Sequence, residues 1–288
     1  MRAIYKREVS SYFNSMIGWL FIAVLTIFIG IYFMAYNLYA GYPYFSSSLN
    51  ASMFIFMVII PILTMRSMAE ERHAKTDQLL LTSPASIPDV VIGKYLALLT
   101  VFVIPVLISC ICPLIIKLNG TAYLRADYAT IFAFFLVGAV EIAIGLLIST
   151  MTESQIIAAV GTFCALLVLY LWSGLVGYLP TSAIGSLVGI LIAVGLICLL
   201  LQALSNNWKI TGAAGACGLA ITVGFYLRNS AKFNSLLPNL LKKFSPLGTF
   251  TSFAADHVFD LRGMLMYLSL IALLVFLTVQ VMQKRRWN

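Results

Sequence analysis

One carboxylate stands inside a long apolar run: Glu141, in TIFAFFLVGAVEIAIGLLIST, flanked by Gly138 and Gly145. A charge at the centre of a membrane helix costs about 2.5–3.5 kcal/mol on insertion scales, and such groups face the bundle interior or a cavity. Glu141 is therefore either a protonated acid bonded to a neighbouring helix or set at a subunit interface, or part of a translocation path. The other concentration of reactive side chains is Arg66–Gly93, RSMAEERHAKTDQLLLTSPASIPDVVIG. Glu70, Glu71, Arg72, His73, Lys75 and Asp77 fall within Ser67–Gln78, among good helix formers. Leu79, Leu80 and Leu81 follow, then Thr82-Ser83-Pro84, where the residue before proline is pushed out of the helical region. Pro88 stops any continuation. The pattern predicts a charged helix ending in a leucine cluster. It is either a solvated connector or a docking element, with charges for orientation and leucines for a partner's groove.

Catalytic and metal-binding patterns are missing from the sequence. No G-x-x-x-x-G-K-[ST] occurs, and Gly93-Lys94 is followed by Tyr95. The two histidines, His73 and His257, are expected on opposite membrane faces, and the serines lack a His/Asp companion at a shared depth. All five cysteines lie in apolar runs without metal-ligand spacing, where small packing residues are expected. No catalytic residue, metal or cofactor is expected in this chain.

These residues must be positioned by elements that live in lipid. Of 288 residues, 61% are hydrophobic and 10% charged, against about a quarter charged in a soluble domain. No soluble fold of this length hides so much apolar surface. The eighteen Lys and Arg are scattered between apolar runs and form no dense basic face for nucleic acid.

A spanning helix needs about 20 apolar residues. Eight runs meet or approach this: Ile17–Ala40, Ala51–Met65 (extending to Leu49 and Met68), Lys94–Ile116, Tyr128–Thr150, Ile156–Tyr178, Ala183–Leu204, Thr211–Leu227 and Met264–Met282. The first is too long for a signal peptide and reads as an uncleaved span. With the amino terminus inside, eleven Lys and Arg face the cytoplasm and seven face outward, the expected sense of the positive-inside rule. Both termini are then cytoplasmic.

The amino-terminal RAIYKREVSSYFNSM sets Ile4, Val9, Tyr12, Phe13 and Met16 opposite Arg2, Lys6 and Arg7, the pattern of an interfacial helix on the bilayer surface. The external segment Arg228–Gly263, with Phe244, Phe250, Phe253 and Phe259, is too polar to span and is expected to form short helices half-sunk at the outer surface. Residues 1–288 read as one all-α, polytopic domain.

Four stretches in order, KREVSSYFNSMIGWLFIAV (6–24), EERHAKTDQLLLTSP (70–84), LLISTMTESQIIAAVGTF (146–163) and FSPLGTF with the terminal DLRGMLMYLSLIALLVFLTVQVMQKRRW, resemble the ABC-2 permease family. The resemblance is to its gliding-motility and nitrous-oxide-reductase-maturation branch. It implies a permease subunit without a nucleotide-binding domain, forming the substrate path as a dimer in the bacterial inner membrane. ATP and Mg would sit on a separate ABC ATPase subunit. The second permease chain would be identical or homologous, and an accessory membrane subunit is part of the implied assembly. It further implies a coupling helix at Glu70, Glu71, Arg72, Thr76, Leu79, Leu80, Thr82 and Pro84. A second ATPase contact falls at Thr150–Gln155, including Thr152 and Gln155, and an elbow helix carries Lys6, Arg7, Tyr12 and Phe13. Members commonly have six spans, so Ala183–Leu204 and Thr211–Leu227 would be an added hairpin. The reading from another class is a secondary transporter or channel without an ATPase, expected to carry more intramembrane ionisable groups or paired broken spans.

Overall fold

A computed structural model describes the chain except for residues 77–85, 206–221, 223–233, 235, 244, 257–260 and 287–288. Among the described residues every regular element is helical. Six helices are long and apolar enough to cross a membrane: Met16–Tyr39, Ser46–His73, Ile87–Asn119, Leu124–Met151, Gln155–Gly177 and Leu261–Lys284. The expected span Ala183–Leu204 appears as a helix over Ala183–Ser205, whose apolar stretch is described for Ala183–Ile192. The expected span Thr211–Leu227 lies almost wholly outside the described residues.

Two compact units divide the chain, Met1–Tyr170 with Thr249–Asn288, and Leu171–Gly248. In the larger unit, α1 (Arg2–Asn14) ends where Ser15 turns extended, and α2 (Met16–Phe33) begins at once. A π-helical segment, Met34–Tyr39, closes the first span. The second span is assembled from α3 (Ser46–Ser52), a single 3₁₀ turn and α4 (Phe56–His73). The third joins α5 (Ile87–Ser109) to α6 (Cys112–Asn119), α7 (Leu124–Met151) is the fourth and α8 (Gln155–Gly177) starts the fifth.

The second span overruns its expected ends by several residues each way. The charged stretch expected to start a separate helix at Ser67 instead forms the last turns of α4, because nothing between Met65 and His73 breaks a helix. The helix stops at Ala74, and Lys75 takes a left-handed φ of 55°. Pro88 has the opposite polarity: it sits in the first turn of α5, where its missing N–H costs nothing. Ser86 caps that turn, its hydroxyl accepting from the Asp89 N–H and donating to the Asp89 carboxylate.

Aromatic rings fill the core of this unit. Phe102 of α5 makes edge contacts with Phe21 of α2 and Phe56 of α4, with centroids 6.2 and 5.5 Å away. Phe56 meets Phe134 of α7 at 4.6 Å, and Phe134 meets Phe250 at 6.1 Å. Two glycines of α7 permit this packing: a Cβ on Gly138 would collide with the Phe102 ring, and one on Gly145 with the Thr64 side chain. The last helix, α12 (Leu261–Arg286), packs along α7.

The expected short helices between the fifth and last spans are present as α10 (Leu236–Lys243) and α11 (Pro246–Asp256). Phe250 and Phe253 are buried among protein, not half-sunk in lipid, because α11 has α7 and the start of α12 to pack on. Phe244 and Phe259 lie outside the described residues. In the smaller unit, α9 (Ala183–Ser205) packs against α10, with Gly189 under Leu237. The Trp172 indole N–H donates to the Leu241 carbonyl at 2.9 Å.

Candidate functional site

One end of the larger unit gathers α1, the end of α4, the start of α5 and the end of α7. Its centre is Lys94, in the second turn of α5 and almost wholly buried at 1% side-chain exposure. Its ammonium donates to Glu8 of α1 at 3.1 Å and to the Ser67 carbonyl at 2.8 Å, and is ion-paired with Glu71 of α4 at 3.0 Å. Arg7 lies at the rim and bridges the same two carboxylates, 2.7 Å from each. Two cations and two anions cancel locally, which is how a buried charge is made tolerable.

The face of α1 carrying Glu8 also carries Tyr12, fully buried, whose hydroxyl donates to the Leu63 carbonyl at 3.4 Å. Burial, followed by the negative charge of Glu8, raises the Tyr12 phenol above its ordinary pKa. Tyr5 meets Thr100 at 2.9 Å and Ile4 rests on Gly93. So α1 buries one face on protein and not only on lipid, while Arg2 and Lys6 remain exposed. Phe13 turns outward to Trp19, whose indole N–H donates to the Phe13 carbonyl. A cavity of about 340 Å³ opens between α1 and α4, lined by Arg7, Glu8, Ser11, Arg66, Glu70 and Glu71 among others.

A second set of bonds ties α4 to α7. The Ser149 hydroxyl accepts from the Met68 and Ala69 N–H groups and donates to the Met65 carbonyl. Arg72 donates to the Thr150 carbonyl at 3.2 Å and to Glu153 at 2.8 Å. Thr152 ends α7 in an extended conformation, and Gln155 opens α8. The end of α4 and the turn after α7, the described parts of the two segments expected to touch an ATPase, thus lie side by side.

The expected coupling residues are distributed unevenly. Glu70 pairs with Arg66 one turn earlier. Glu71 and Arg72 point into the protein as described, and Thr76 closes the helix end through its N–H and hydroxyl, both donating to the Glu71 carbonyl. Leu79, Leu80, Thr82 and Pro84 lie outside the described residues. Sequence reasoning missed Glu8, Lys94, Ser67, Ser149 and Glu153. A signal for Glu8 was present: it shares a helix face with Ile4 and Tyr12, and a carboxylate on a buried face requires a partner.

Glu141 is buried inside the bundle of a single chain, at 5% exposure, and its Oε2 has no hydrogen-bond partner. It stands between Gly138 and Gly145, on the side of α7 that meets Phe102 and Thr64.

The opposite end has a different character. Asp127 accepts from the Phe45 N–H at 2.8 Å. The Asn37 amide donates to the carbonyls of Tyr42 and Tyr44 and accepts from Ser48, pinning the turn after the first span. Tyr32, Tyr36, Tyr39, Tyr42, Tyr44, Tyr123 and Tyr128 crowd this end, with Tyr44 and Tyr123 stacked at 4.6 Å.

Six apolar helices with ion-paired charges at one end and tyrosines at the other define a multi-pass helical membrane protein. The chain belongs to the ABC-2 family of transporter proteins, whose family model matches residues 2–279. That membership makes it a membrane transport component, the permease part of an ABC transporter. No curated protein matches its sequence.

Proposed function

We propose that this chain is a permease subunit driven by a separate ABC ATPase. The ATPase docks on the surface made by the end of α4, the residues that follow it, and the 152–154 turn. The observation that carries this reading is the junction of α4 to α7 through Ser149 and Arg72. It makes one continuous platform of two stretches that resemble ATPase contacts. A push on either is shared by the second and fourth spans.

Charge supports the cytoplasmic side for this platform. Around the first four spans, Arg2, Lys6, Arg7, Arg66, Arg72, Lys75 and Lys94 fall at the platform end, and Lys117 and Arg125 at the other. Basic residues favour the cytoplasm, so the amino terminus is assigned there; an even number of spans brings the carboxyl terminus to the same side, and the family resemblance supports a bacterial inner membrane. The working unit is two permease chains with two ATPases, which hold the ATP and Mg. The resemblance to the gliding-motility branch adds an accessory membrane subunit.

The test is a pulldown from native membranes in mild detergent, with partners identified by mass spectrometry and ATP hydrolysis assayed. Glu71 and Arg72 hold the protein together, so the docking variant alters Leu80→Asp with Glu153→Lys, the latter 73% exposed. A stoichiometric ABC-type ATPase that this variant loses is the expected result. A well-folded wild-type chain with no ATPase partner would overturn the reading in favour of a secondary transporter or channel.

A further inference from the structure

The helices around Lys94 fall into two pairs. Among its neighbours α1 packs chiefly on α5, whereas α4 packs chiefly along α7 and touches α5 only slightly. Helix α1 does not span, and its covalent tie is the extended Ser15 linking it to α2. Its position, and that of the last turns of α4 against α5, must come from side chains. Tyr5 ties α1 to α5, and Tyr12 and the rim residue Arg7 tie it to α4, but Lys94 is the buried charge that joins all three, its ammonium bonded to Glu8 of α1 and the Ser67 carbonyl of α4 and ion-paired with Glu71. Sliding any of these helices would leave a charge buried without its partner, the condition that makes broken internal ion pairs so unfavourable.

We propose that Lys94 is a positioning residue that locks α1, the end of α4 and the start of the third span into one rigid body. Movement imposed on the end of α4 is then delivered to the surface helix and the third span. That use in transport rests on the ATPase-driven reading above; the locking itself does not.

The deciding measurement is made on the full chain alone in lipid nanodiscs. Spin labels go on Ser10→Cys of α1 and Ala74→Cys after α4, both exposed, with the five native cysteines replaced by alanine. With Lys94 present, the distance distribution is expected to be single and narrow. Lys94→Met takes the buried partner from Glu8 and Glu71 and leaves them only the half-exposed Arg7 at the rim, which broadens it and lowers the melting temperature. The combination Glu8→Gln, Glu71→Gln and Lys94→Met removes every buried charge of the cluster. It is expected to recover much of the melting temperature while the distribution stays broad, a split that a purely stabilising role would not give. A narrow, wild-type distribution in the triple variant would overturn the proposal, and that variant decides the matter even if Lys94→Met alone fails to fold. Absence of an ATPase in the pulldown would sink the transport reading and leave the distance result standing by itself.

Discussion

The guanidinium of Arg72 lies 3.2 Å from the carbonyl oxygen of Thr150, across 78 residues of sequence. That carbonyl is in the last turn of α7, where backbone acceptors lack helical partners and the helix dipole favours a cation. A single side chain therefore caps one spanning helix from the end of another.

Arg72→Ala should lower stability by about 1.5–3 kcal/mol, the range for hydrogen bonds to charged groups. Glu153→Ala should cost less than about 1 kcal/mol, because its carboxylate is exposed and its ion pair screened. Thermal unfolding of both variants in the same detergent checks the order. Equal losses would mean that the Thr150 bond contributes nothing.

Ser149→Ala removes a hydroxyl that serves two N–H groups and one carbonyl of α4. A loss of about 1–3 kcal/mol is expected for the buried groups left behind. Proteolytic cleavage after His73 should also become faster, since the end of α4 loses its anchor. Unchanged cleavage would show that Arg72 alone holds the junction.

Gly145→Leu should destabilise the bundle by about 1–3 kcal/mol or more through overpacking, since even a Cβ there meets Thr64. Gly30→Ala is the control: nothing lies within 4 Å of the added carbon, and alanine suits a helix better by about 0.5–1 kcal/mol. Melting temperatures should move in opposite directions.

Glu141→Gln should leave folding unchanged and Glu141→Leu should be neutral or stabilising, because the carboxyl has a buried oxygen with no partner to lose. ATP hydrolysis by the complex supplies the second readout. If Glu141→Gln melts like the wild type yet changes hydrolysis, the acid acts in the transport cycle; if neither moves, it is a tolerated core group.

The raised pKa of the Tyr12 phenol makes its packing sensitive to alkali. A group held protonated in the folded state stabilises fully below its unfolded pKa, near 10 for tyrosine, and loses that contribution as pH rises above it. Tyr12→Phe should therefore flatten the fall in melting temperature above about pH 10. An identical slope in both proteins would show that other groups cause the fall.

Hydropathy is a sum over neighbouring residues, so the sequence by itself determined that the chain is a bundle of membrane helices and where most of them run. Local chemistry likewise marked the amphipathic amino-terminal helix, and four ordered stretches pointed to the family, whereas Pro88, read as a stop, opens a helix. What the tertiary structure decided is pairing. Nothing in GKYLALL says that Lys94 faces Glu8 of one helix and Glu71 of another. Nor does AEERH say that Arg72 reaches the end of α7 while Glu70 stays on its own helix. Those partners are tens of residues apart, and Glu71 and Arg72 reach theirs because α4 runs on past the expected boundary to His73. Phe250 and Phe253 tell the same story, since an aromatic residue satisfied by lipid and one satisfied by a neighbouring helix look alike in sequence. Apolar burial has no direction. An ion pair needs its two atoms within a few ångströms, and only the packed fold sets that distance.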